Sequence, residues 1–278
     1  MIDQVLPALR CPMCSDGLAR FDNAVGCSSG HRFDVARQGY VSLLGPRSRT
    51  DTGDTAEMVA ARADFLARGH YAPIADAIVG ALSDRVADQP LVVEIGAGTG
   101  YYLGAALDPL SGARGIALDA SARAARRAAA DPRIGSVVAD AWAVLPIRDH
   151  VADAVLSVFA PRNPSQLARI LTSSGRLVVV APNTDHLGEL IEPLGMLNVG
   201  ADKNRKLAVG LSPYFAPAGS RALSYQLRLG VDDLRNLVLM GPAAQHVRRD
   251  QLAASLDDQP VLTPATVSVT VSCWTPLA

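Results

Sequence analysis

The stretch Leu91-Val92-Val93-Glu94-Ile95-Gly96-Ala97-Gly98-Thr99-Gly100 decides the fold of this chain. Its apolar first half is typical of a buried strand, and its glycines let the backbone turn tightly and approach a ligand closely. A dinucleotide-binding fingerprint, G-x-G-x-x-G, would need glycine at position 101, which is Tyr101. The stretch has the pattern E-x-G-x-G-x-G instead, and it predicts a strand, a ligand-binding turn and a helix.

Apolar segments alternate with helical or loop segments on the C-terminal side of this stretch. They predict further strands over residues 115–118, 136–139, 154–159 and 176–180. Two strictly alternating segments, 223–229 and 267–272, follow with a helix between them. We therefore expect an α/β fold, with a parallel sheet covered on both faces and finished by an antiparallel pair.

The glycine stretch resembles the first motif of class I methyltransferases, which use S-adenosylmethionine (SAM) and have a Rossmann-like fold. In that class the loop packs against the amino-acid and ribose parts of SAM. Asp119 and Asp140 end the second and third predicted strands, where an acid can accept hydrogen bonds from ribose or adenine. Either acid alone could equally be a solvated loop carboxylate or a helix cap. Together with Glu94 they mark the edge at which open α/β sheets bind ligands, and this favours a cofactor site.

The segment after the fourth predicted strand bears on the substrate. Methyltransferases that act on exocyclic amines usually carry Asn/Asp-Pro-Pro-aromatic there, whereas this chain has Phe159-Ala160-Pro161-Arg162-Asn163-Pro164. The missing tetrad argues against an exocyclic amine and leaves a ring nitrogen or a carbon as the methyl acceptor.

Cys11-Pro12-Met13-Cys14 and Cys27-Ser28-Ser29-Gly30-His31 form a second motif near the N-terminus. Three thiolates and one imidazole at this spacing can close a tetrahedral zinc site, and four protein ligands indicate a structural rather than a catalytic metal. A redox Cys-x-x-Cys motif is the alternative, but it belongs in a βαβ context that is missing here. Cys273 lies outside the motif and is expected to be an inert thiol in a strand.

The chain divides into three parts. Residues 1–45 are expected to form a zinc-binding module, 46–90 a linker with two helices, and 91–278 the methyltransferase domain. The linker over 45–53 is rich in helix breakers and polar residues. Asp54 is expected to cap the first helix in a capping box with Glu57, Gly69 to end it, and Pro73 to begin the second helix.

Composition places few limits on the partner. The chain has 278 residues, a net charge of −1 and 49% hydrophobic residues, which is typical of a globular protein. Charge alone therefore does not predict a nucleic-acid partner. No apolar run approaches membrane-spanning length and no signal peptide is recognisable. We expect no membrane partner and a cytoplasmic location, where thiolates stay available for zinc.

A family resemblance extends over nearly the whole chain. It rests on Cys11-Pro12-x-Cys14, on Cys27-x-x-Gly30-His31-x-Phe33-Asp34-x-Ala36-Arg37-x-Gly39-Tyr40, on Gly53-Asp54-x-Ala56-Glu57-Met58 and on Ala61-Arg62-x-x-Phe65-Leu66-x-x-Gly69-His70-Tyr71. These segments resemble the RlmA-type 23S rRNA (guanine-N1)-methyltransferases. The segment 159–164 looks most like their Gram-positive branch, which includes tylosin-resistance enzymes.

The resemblance implies residues for both cofactors. The zinc ligands would be Cys11, Cys14, Cys27 and His31. Tyr71, Gly98, Thr99 and His186 would contact SAM, in addition to Glu94, Gly96, Gly100, Asp119 and Asp140 from the motifs. Without the resemblance His186 would be interpreted as a loop histidine. No catalytic base is assigned, and the candidates in resembling segments are Asp34, Asp54 and Glu57.

The activity that the resemblance implies is methyl transfer from SAM to N1 of a guanine in a hairpin loop of 23S rRNA. That loop lies near the macrolide site, so resistance to tylosin-type macrolides is a further implication. Phe33 and Tyr40 would stack on bases or form the small core of the zinc module. The arginines available for phosphates are Arg10, Arg20, Arg32, Arg37, Arg47 and Arg49.

Three further hypotheses complete the expectations. A homodimer that grips one rRNA fragment is one of them. A SAM-dependent small-molecule methyltransferase would explain the sheet but would leave the zinc module without a role. A non-catalytic, zinc-dependent RNA-binding protein that has kept a SAM fold is the alternative from a different class.

Overall fold

The computed structural model describes residues 1–46, 48, 53–82, 88–241, 244 and 248–277. The strands are β1 Ala19–Phe21, β2 Ala24–Gly26, β3 Arg32–Asp34, β4 Tyr40–Ser42, β5 Leu91–Ile95, β6 Arg114–Asp119, β7 Ile134–Val138, β8 Ala152–Val158, β9 Leu171–Pro182, β10 Phe215–Leu229 and β11 Thr263–Pro276. The helices are α1 Ala56–Ala67, α2 Ala72–Leu82, α3 Tyr101–Leu107, α4 Ala122–Ala128, α5 Pro164–Ile170, α6 Gly188–Leu194, α7 Lys203–Leu211, α8 Val231–Leu239 and α9 Arg249–Asp257. None of these described helices is long and apolar enough to cross a membrane.

An eight-stranded sheet in the order β10-β11-β9-β8-β5-β6-β7-β4 forms the centre of the protein. Strands β4 to β9 pair in parallel, and β11 pairs antiparallel with both β9 and β10. This confirms the predicted parallel sheet with an antiparallel pair. The sequence pattern missed the first half of β10, because Pro217 and Gly219 interrupt its alternation at a bulge between Pro217 and Ser220.

Side chains from the sheet alternate between two hydrophobic cores, one on each face. In β5, Val92 belongs to one core and Val93 to the other, and every residue of the strand is buried. Helices α1, α2, α3, α6, α8 and α9 contribute to the first core, whereas α5, α7 and the N-terminal segment contribute to the second. Because both faces of β5 are buried, the glycine loop that follows it starts from a fixed position.

The N-terminal segment packs onto the sheet. Two turns of 3-10 helix, Ile2–Gln4 and Leu6–Ala8, place Val5 and Leu9 in the second core. Leu9 then forms an antiparallel bridge with residue Ile147, and β1, β2 and β3 make a small antiparallel sheet of their own. Strand β4 joins the edge of the large sheet beside β7. The zinc module over 1–45 therefore supplies one strand to the large sheet, and its boundary at residue 45 stays a prediction.

The start of α1 differs from the expectation. Its cap is Thr55, whose hydroxyl accepts a hydrogen bond from the backbone N–H of Met58 at 3.3 Å, so the prediction that Asp54 caps the helix is wrong. The physical reason is that the Asp54 carboxylate accepts a hydrogen bond from Arg62, and Glu57 pairs with Arg249 instead of closing a capping box. The predicted linker over 45–53 lies largely outside the described residues.

The other local predictions for this region agree with the structure. Gly69 follows the end of α1 with a φ of +77°, a left-handed conformation that favours glycine. Pro73 is the second residue of α2, where its missing N–H costs no helical hydrogen bond.

Candidate active site and metal centre

Four side chains near the N-terminus converge in the geometry of a tetrahedral metal site. The ligand atoms of Cys11, Cys14, Cys27 and His31 all lie within 4.8 Å of one another. The Sγ atoms of Cys14 and Cys27 are 3.5 Å apart, and the Nδ1 atom of His31 is 3.3 Å from Sγ of Cys27. A tetrahedron with Zn–S bonds of about 2.3 Å has S–S edges of roughly 3.8 Å, so the four residues fit zinc.

The local backbone brings these four ligands together. Cys11 and Cys14 lie on the turn before β1, Cys27 follows β2, and His31 precedes β3. Gly30, with a φ of +89°, allows the turn between the last two ligands. Burial raises the pKa of the Cys11 thiol to about 11, and a bound divalent cation favours the thiolate and reverses that effect. Cys273 is free and lies in β11, as expected of a strand residue, but it is partly buried where full burial was expected.

A cleft opens at the carboxyl ends of β5, β6, β7 and β8, with a volume of about 270 Å³. We call it the cofactor cleft. Seven of the residues predicted to bind SAM line it: Tyr71, Glu94, Gly96, Gly98, Thr99, Asp119 and Asp140. Of the other two, Gly100 is the N-cap of α3 with a φ of +80°, and His186 lines a neighbouring cleft. The structure therefore places eight of the nine predicted residues in two adjoining clefts, and Gly100 lines neither of them.

The glycine loop, residues 96–100, has a shape that requires glycine at three of its positions. Gly96 has a φ of +66°, and a Cβ atom there would lie 2.7 Å from the Cβ of Ala160. Gly98 has a φ of +55°, and its N–H donates to the Asp119 carboxylate at 2.8 Å. This hydrogen bond ties the loop to the end of β6, and the absent Cβ atoms leave a cradle that fits a cofactor.

Two acids, the buried Glu94 and the half-buried Asp119, make the cleft receptive to donors of hydrogen bonds and to positive charge. Glu94 accepts a hydrogen bond from the N–H of Leu103 at 3.0 Å, and burial raises its pKa well above the ordinary value. Asp119 accepts from Gly98 and from the N–H of Ser121, and burial again raises its pKa. A ligand that carries an ammonium or sulfonium charge and ribose hydroxyls would offset this desolvation.

The rim of the cofactor cleft contains residues that the sequence did not reveal. Asp140 is buried and accepts a hydrogen bond from the N–H of Trp142 at 2.9 Å, while the Trp142 side chain is 55% exposed. Trp142 was not predicted, although its position two residues after Asp140, a predicted cofactor acid, could have pointed to it. Met240, from the end of α8, also lines the cleft, and no local sequence signal marks it because it is distant in the chain.

A second cleft of about 640 Å³ adjoins the first. We call it the acceptor cleft. The residues common to both clefts are Asp54, Arg62, Tyr71, Phe159, Ala160, Pro161 and Met240. Phe159 has a φ of +52°, a conformation that aromatic residues rarely adopt, and its side chain is 39% exposed. Such strain of roughly 1–3 kcal/mol is often found at functional sites, which agrees with the position of Phe159 at the junction.

His186 lies in the acceptor cleft beside Phe159, with the ring centroids 5.8 Å apart. Its Nδ1 atom accepts a hydrogen bond from the N–H of Ser268 at 3.2 Å. Burial, and then the positive charge of Lys203, lower the pKa of His186 to about 4. His186 is therefore neutral at physiological pH, and with Nδ1 accepting, its proton is on Nε2.

The three candidate bases occupy different environments. Asp54 lines both clefts. Asp34 is exposed in β3 of the small sheet, and Glu57 is exposed and paired with Arg249. Among the predicted candidates, only Asp54 is placed where methyl transfer from the cofactor cleft can occur.

The arginines predicted to contact RNA also have different environments. Arg10 pairs with Asp149 at 3.2 Å, Arg20 pairs with Asp3 at 3.5 Å, and Arg32 lies 3.8 Å above the ring of Phe21. Arg37 is exposed. Arg47 and Arg49 lie outside the described residues. Phe33 is half-buried against the second core, which favours its role as part of the module's core.

Comparisons with known proteins agree with both sites. Residues 9–48 match the family described as "RlmA, N-terminal", a zinc ribbon, and residues 93–179 match the family "Methyltransferase domain". A putative methyltransferase of Bacillus halodurans has the same fold, with a TM-score of 0.53 at 12% identity over 72% of this chain and 97% of the other. Fold and site together define a SAM-dependent methyltransferase with an N-terminal zinc ribbon, and its cofactors are SAM and zinc.

Two curated relatives identify the family. The chain is 45% identical to the 23S rRNA (guanine(748)-N(1))-methyltransferase of Streptomyces fradiae, over 100% of both chains. It is 42% identical to a putative 23S rRNA (guanine-N(1)-)-methyltransferase of Micromonospora griseorubida, over 96% of this chain and 97% of the relative. The chain belongs to the RlmA-type family of 23S rRNA (guanine-N1)-methyltransferases.

Proposed function

We propose that this protein transfers the methyl group of SAM to N1 of a guanine in a hairpin loop of 23S rRNA. The observation that carries the proposal is the combination of a complete zinc-ligand set with a cofactor cleft that opens into a larger acceptor cleft. The full-length similarity to the Streptomyces fradiae enzyme supports the choice of rRNA and of guanine N1. A cytoplasmic location and resistance to tylosin-type macrolides belong to the same proposal.

The roles of the cofactor-cleft residues follow from their environment. When bound, SAM supplies an electrophilic methyl group on a positively charged sulfonium. Glu94 and Asp119 would accept hydrogen bonds from its ammonium and ribose groups, because both carboxyls are withdrawn from solvent at least in part and are already oriented by backbone N–H donors. Asp140 would face the adenine, and the glycine loop would lie against the ribose and the amino-acid part.

The acceptor cleft is suited to a base taken out of its stack. The exposed ring of Phe159 lies beside those of Tyr71 and His186, with centroid distances of 6.1 Å and 5.8 Å. An extruded guanine can stack on such a ring, as enzymes that modify bases require. Asp54 would accept the N1 proton there, because it is the candidate acid that lines both clefts.

The zinc ribbon would hold the RNA hairpin rather than act on the methyl group. A metal held by its four side chains would have a full set of protein ligands and no open position for substrate. Among the described arginines that were predicted to contact RNA, we expect the exposed Arg37 to contact phosphate most directly. A homodimer on one rRNA fragment remains part of the proposal, and light scattering with and without RNA would test it.

The experiment that tests the proposed function is tritium transfer from labelled SAM. The purified protein should label deproteinised 23S rRNA, and primer extension should stop at one guanine in the hairpin loop. The same RNA with that guanine replaced by adenine is the matched control and should not be labelled. Labelling of small molecules in place of rRNA would favour the small-molecule alternative, and binding without any labelling would favour the non-catalytic one.

A further inference from the structure

Arg162 is an uncompensated cation in the acceptor cleft. It lies three residues after Phe159 and lines that cleft. Its Nη1 atom is buried and has no hydrogen-bond partner among the described residues. Desolvation lowers its pKa, and within the described chain no carboxylate forms an ion pair with it. A cationic group with a buried, unpartnered N–H is costly, so a ligand that supplies negative charge is the simplest explanation for it.

A second cation reinforces the first. Lys203, at the start of α7, lines the same cleft and is exposed at its mouth. Burial and the nearby Arg162 both lower the pKa of Lys203, which means that the two cations repel each other across the cleft. His186 also lines this cleft. It is neutral, with its proton on Nε2, and can only donate from that atom. All three groups thus present donors or positive charge to the same space.

The chemistry of guanine N1 supplies the matching negative charge. N1 of neutral guanine carries a proton and has no free in-plane lone pair. When the N1–H bond breaks, the proton goes to Asp54, and the electron pair is shared between N1 and O6. N1 then forms a bond to the methyl carbon while the carbon–sulfur bond breaks and its electron pair returns to sulfur, giving N1-methylguanine and neutral S-adenosylhomocysteine. The excess negative charge on O6 exists only between these events.

We propose that Arg162, assisted by Lys203 and by Nε2–H of His186, binds O6 of the target guanine and stabilises the negative charge that develops there. This rests on the proposed function, since it takes guanine N1 as the acceptor. Arg162 is the deeper of the two cations, which suits a base edge that enters the cleft, whereas a backbone phosphate would stay at the mouth near Lys203. Donors already aimed at developing charge are the strongest general source of catalysis.

The test measures ionisation of the base directly and without turnover. An rRNA hairpin with 6-thioguanine at the methylated position is bound to the protein with S-adenosylhomocysteine. The sulfur of this base takes the place of O6 and shares the negative charge when N1–H ionises, and the ultraviolet band of thioguanine is followed against pH. The wild-type protein should lower the N1–H pKa of the bound base by about 1–2 units relative to the free RNA. Arg162→Gln should return the pKa close to the free value, and Arg162→Lys should restore part of the shift.

The titratable and charged groups that face this cleft are Asp54, Arg62, Tyr71, Arg162, His186 and Lys203. Further variants separate the effect of Arg162 on the N1–H pKa from that of a neighbouring cation. Lys203→Gln should remove a smaller part of the shift. Lys206→Gln, an exposed lysine on the same helix that is not among the described cleft residues, should leave it unchanged. Thermal unfolding of each variant confirms the fold, and Lys203→Gln changes only an exposed side chain.

Three results would overturn the proposal. An Arg162→Gln protein that weakens RNA binding with the N1–H pKa shift intact would make Arg162 a phosphate contact. One that loses affinity for S-adenosylhomocysteine would assign Arg162 to the cofactor carboxylate. A shift that is absent already in the wild-type complex would refute stabilisation of O6. If wild-type protein does not label the unmodified hairpin with tritium, the proposed function itself fails. The tritium assay therefore distinguishes that failure from a failure of the role given to Arg162.

Discussion

The zinc ribbon and the central sheet keep their shapes by different means. The strands β1, β2 and β3 have three residues each, and β1 is exposed along its whole length. Strand β5, in contrast, is buried throughout and packs against a core on each face. Below about 40 residues a chain seldom buries enough apolar surface to fold alone, so the ribbon depends on its four ligands while the sheet depends on burial.

This difference separates two functions within one chain. The region that depends on metal is proposed to hold RNA, and the region that depends on burial positions the cofactor. Loss of metal should therefore affect RNA recognition and leave SAM binding intact, whereas a change in the glycine loop should do the reverse. The variants below test that separation, from the largest expected effect to the smallest.

The largest effect is expected from removal of the metal ligands. In the Cys11→Ser, Cys14→Ser double variant zinc should be lost, because two of its four ligands are removed. The module should then lose its structure, because structural zinc contributes about 10 kcal/mol or more to such modules. Methylation of the rRNA hairpin should fall by at least ~100-fold, and the affinity for SAM should stay within about 2-fold. Elemental analysis, tritium transfer and calorimetry measure the three quantities. Cys273→Ser is the matched control, since Cys273 is free and distant from the cluster.

Amide hydrogen exchange would show where the structure is lost in that variant. Protection should disappear over residues 11–34 and persist in β5. Loss of protection in both places would mean that the two regions fold as one unit, and the contrast between metal and burial would then be wrong.

The second effect concerns the glycine loop. Gly96→Ala places a Cβ 2.7 Å from that of Ala160 at a φ of +66°, so the loop and the segment after β8 must move. We expect a loss of roughly 2–4 kcal/mol of stability and at least ~10-fold weaker SAM binding, with zinc retained. Gly80→Ala in α2 is the matched control, because no atom of the described residues lies within 4 Å of its new Cβ and a helical alanine should add about 0.5–1 kcal/mol. Equal SAM affinity in the two variants would contradict the proposed role of the loop.

The sequence predicted the elements whose signal is local and continuous. The strands β5 to β9, the glycine loop, the acids at the strand ends and the four zinc ligands all follow from patterns within a few residues. The pairing of Arg62 with Asp54 was not predictable in this way, because a side-chain contact decided between two adjacent capping residues, and Thr55 caps α1 instead.

The residues that the region of α7 and α8 contributes to the acceptor cleft were the part of the site that the sequence did not reveal. Lys203 and Met240 reach it from α7 and α8, far along the chain from the glycine loop. Only the packing of those helices on the sheet brings them to Phe159 and Arg162. The cofactor cleft could be predicted because it lies at the ends of adjacent strands, whereas the acceptor cleft depends on tertiary packing.

The third effect is a pH-dependent change at Glu94. Burial raises the pKa of this carboxyl in the folded protein above its value in the unfolded chain. In the wild-type protein without SAM, the contribution of Glu94 to stability should therefore be most favourable below about pH 4.5. It should be lost as the pH rises through the folded-state pKa. Glu94→Gln removes the loss, so its Tm should exceed that of wild type at neutral pH and approach it in acid, while SAM affinity falls about 10-fold. A Tm difference that does not change with pH would show that Glu94 is not the titrating group.

The smallest effect should come from the ionic contact between the two regions. Arg10 of the zinc module pairs with Asp149 at 3.2 Å, but half of the Asp149 side chain is exposed, and such pairs contribute little. Arg10→Gln should change stability by less than about 0.5 kcal/mol in denaturant unfolding. Leu9→Ala, one residue earlier and fully buried in the second core, should cost about 2–5 kcal/mol. If Arg10→Gln and Leu9→Ala lost equal stability, the zinc module would be held on the sheet by charge. The larger loss expected for Leu9→Ala means that burial holds the module on the sheet. Zinc is then needed only for the part of the module that extends beyond this contact.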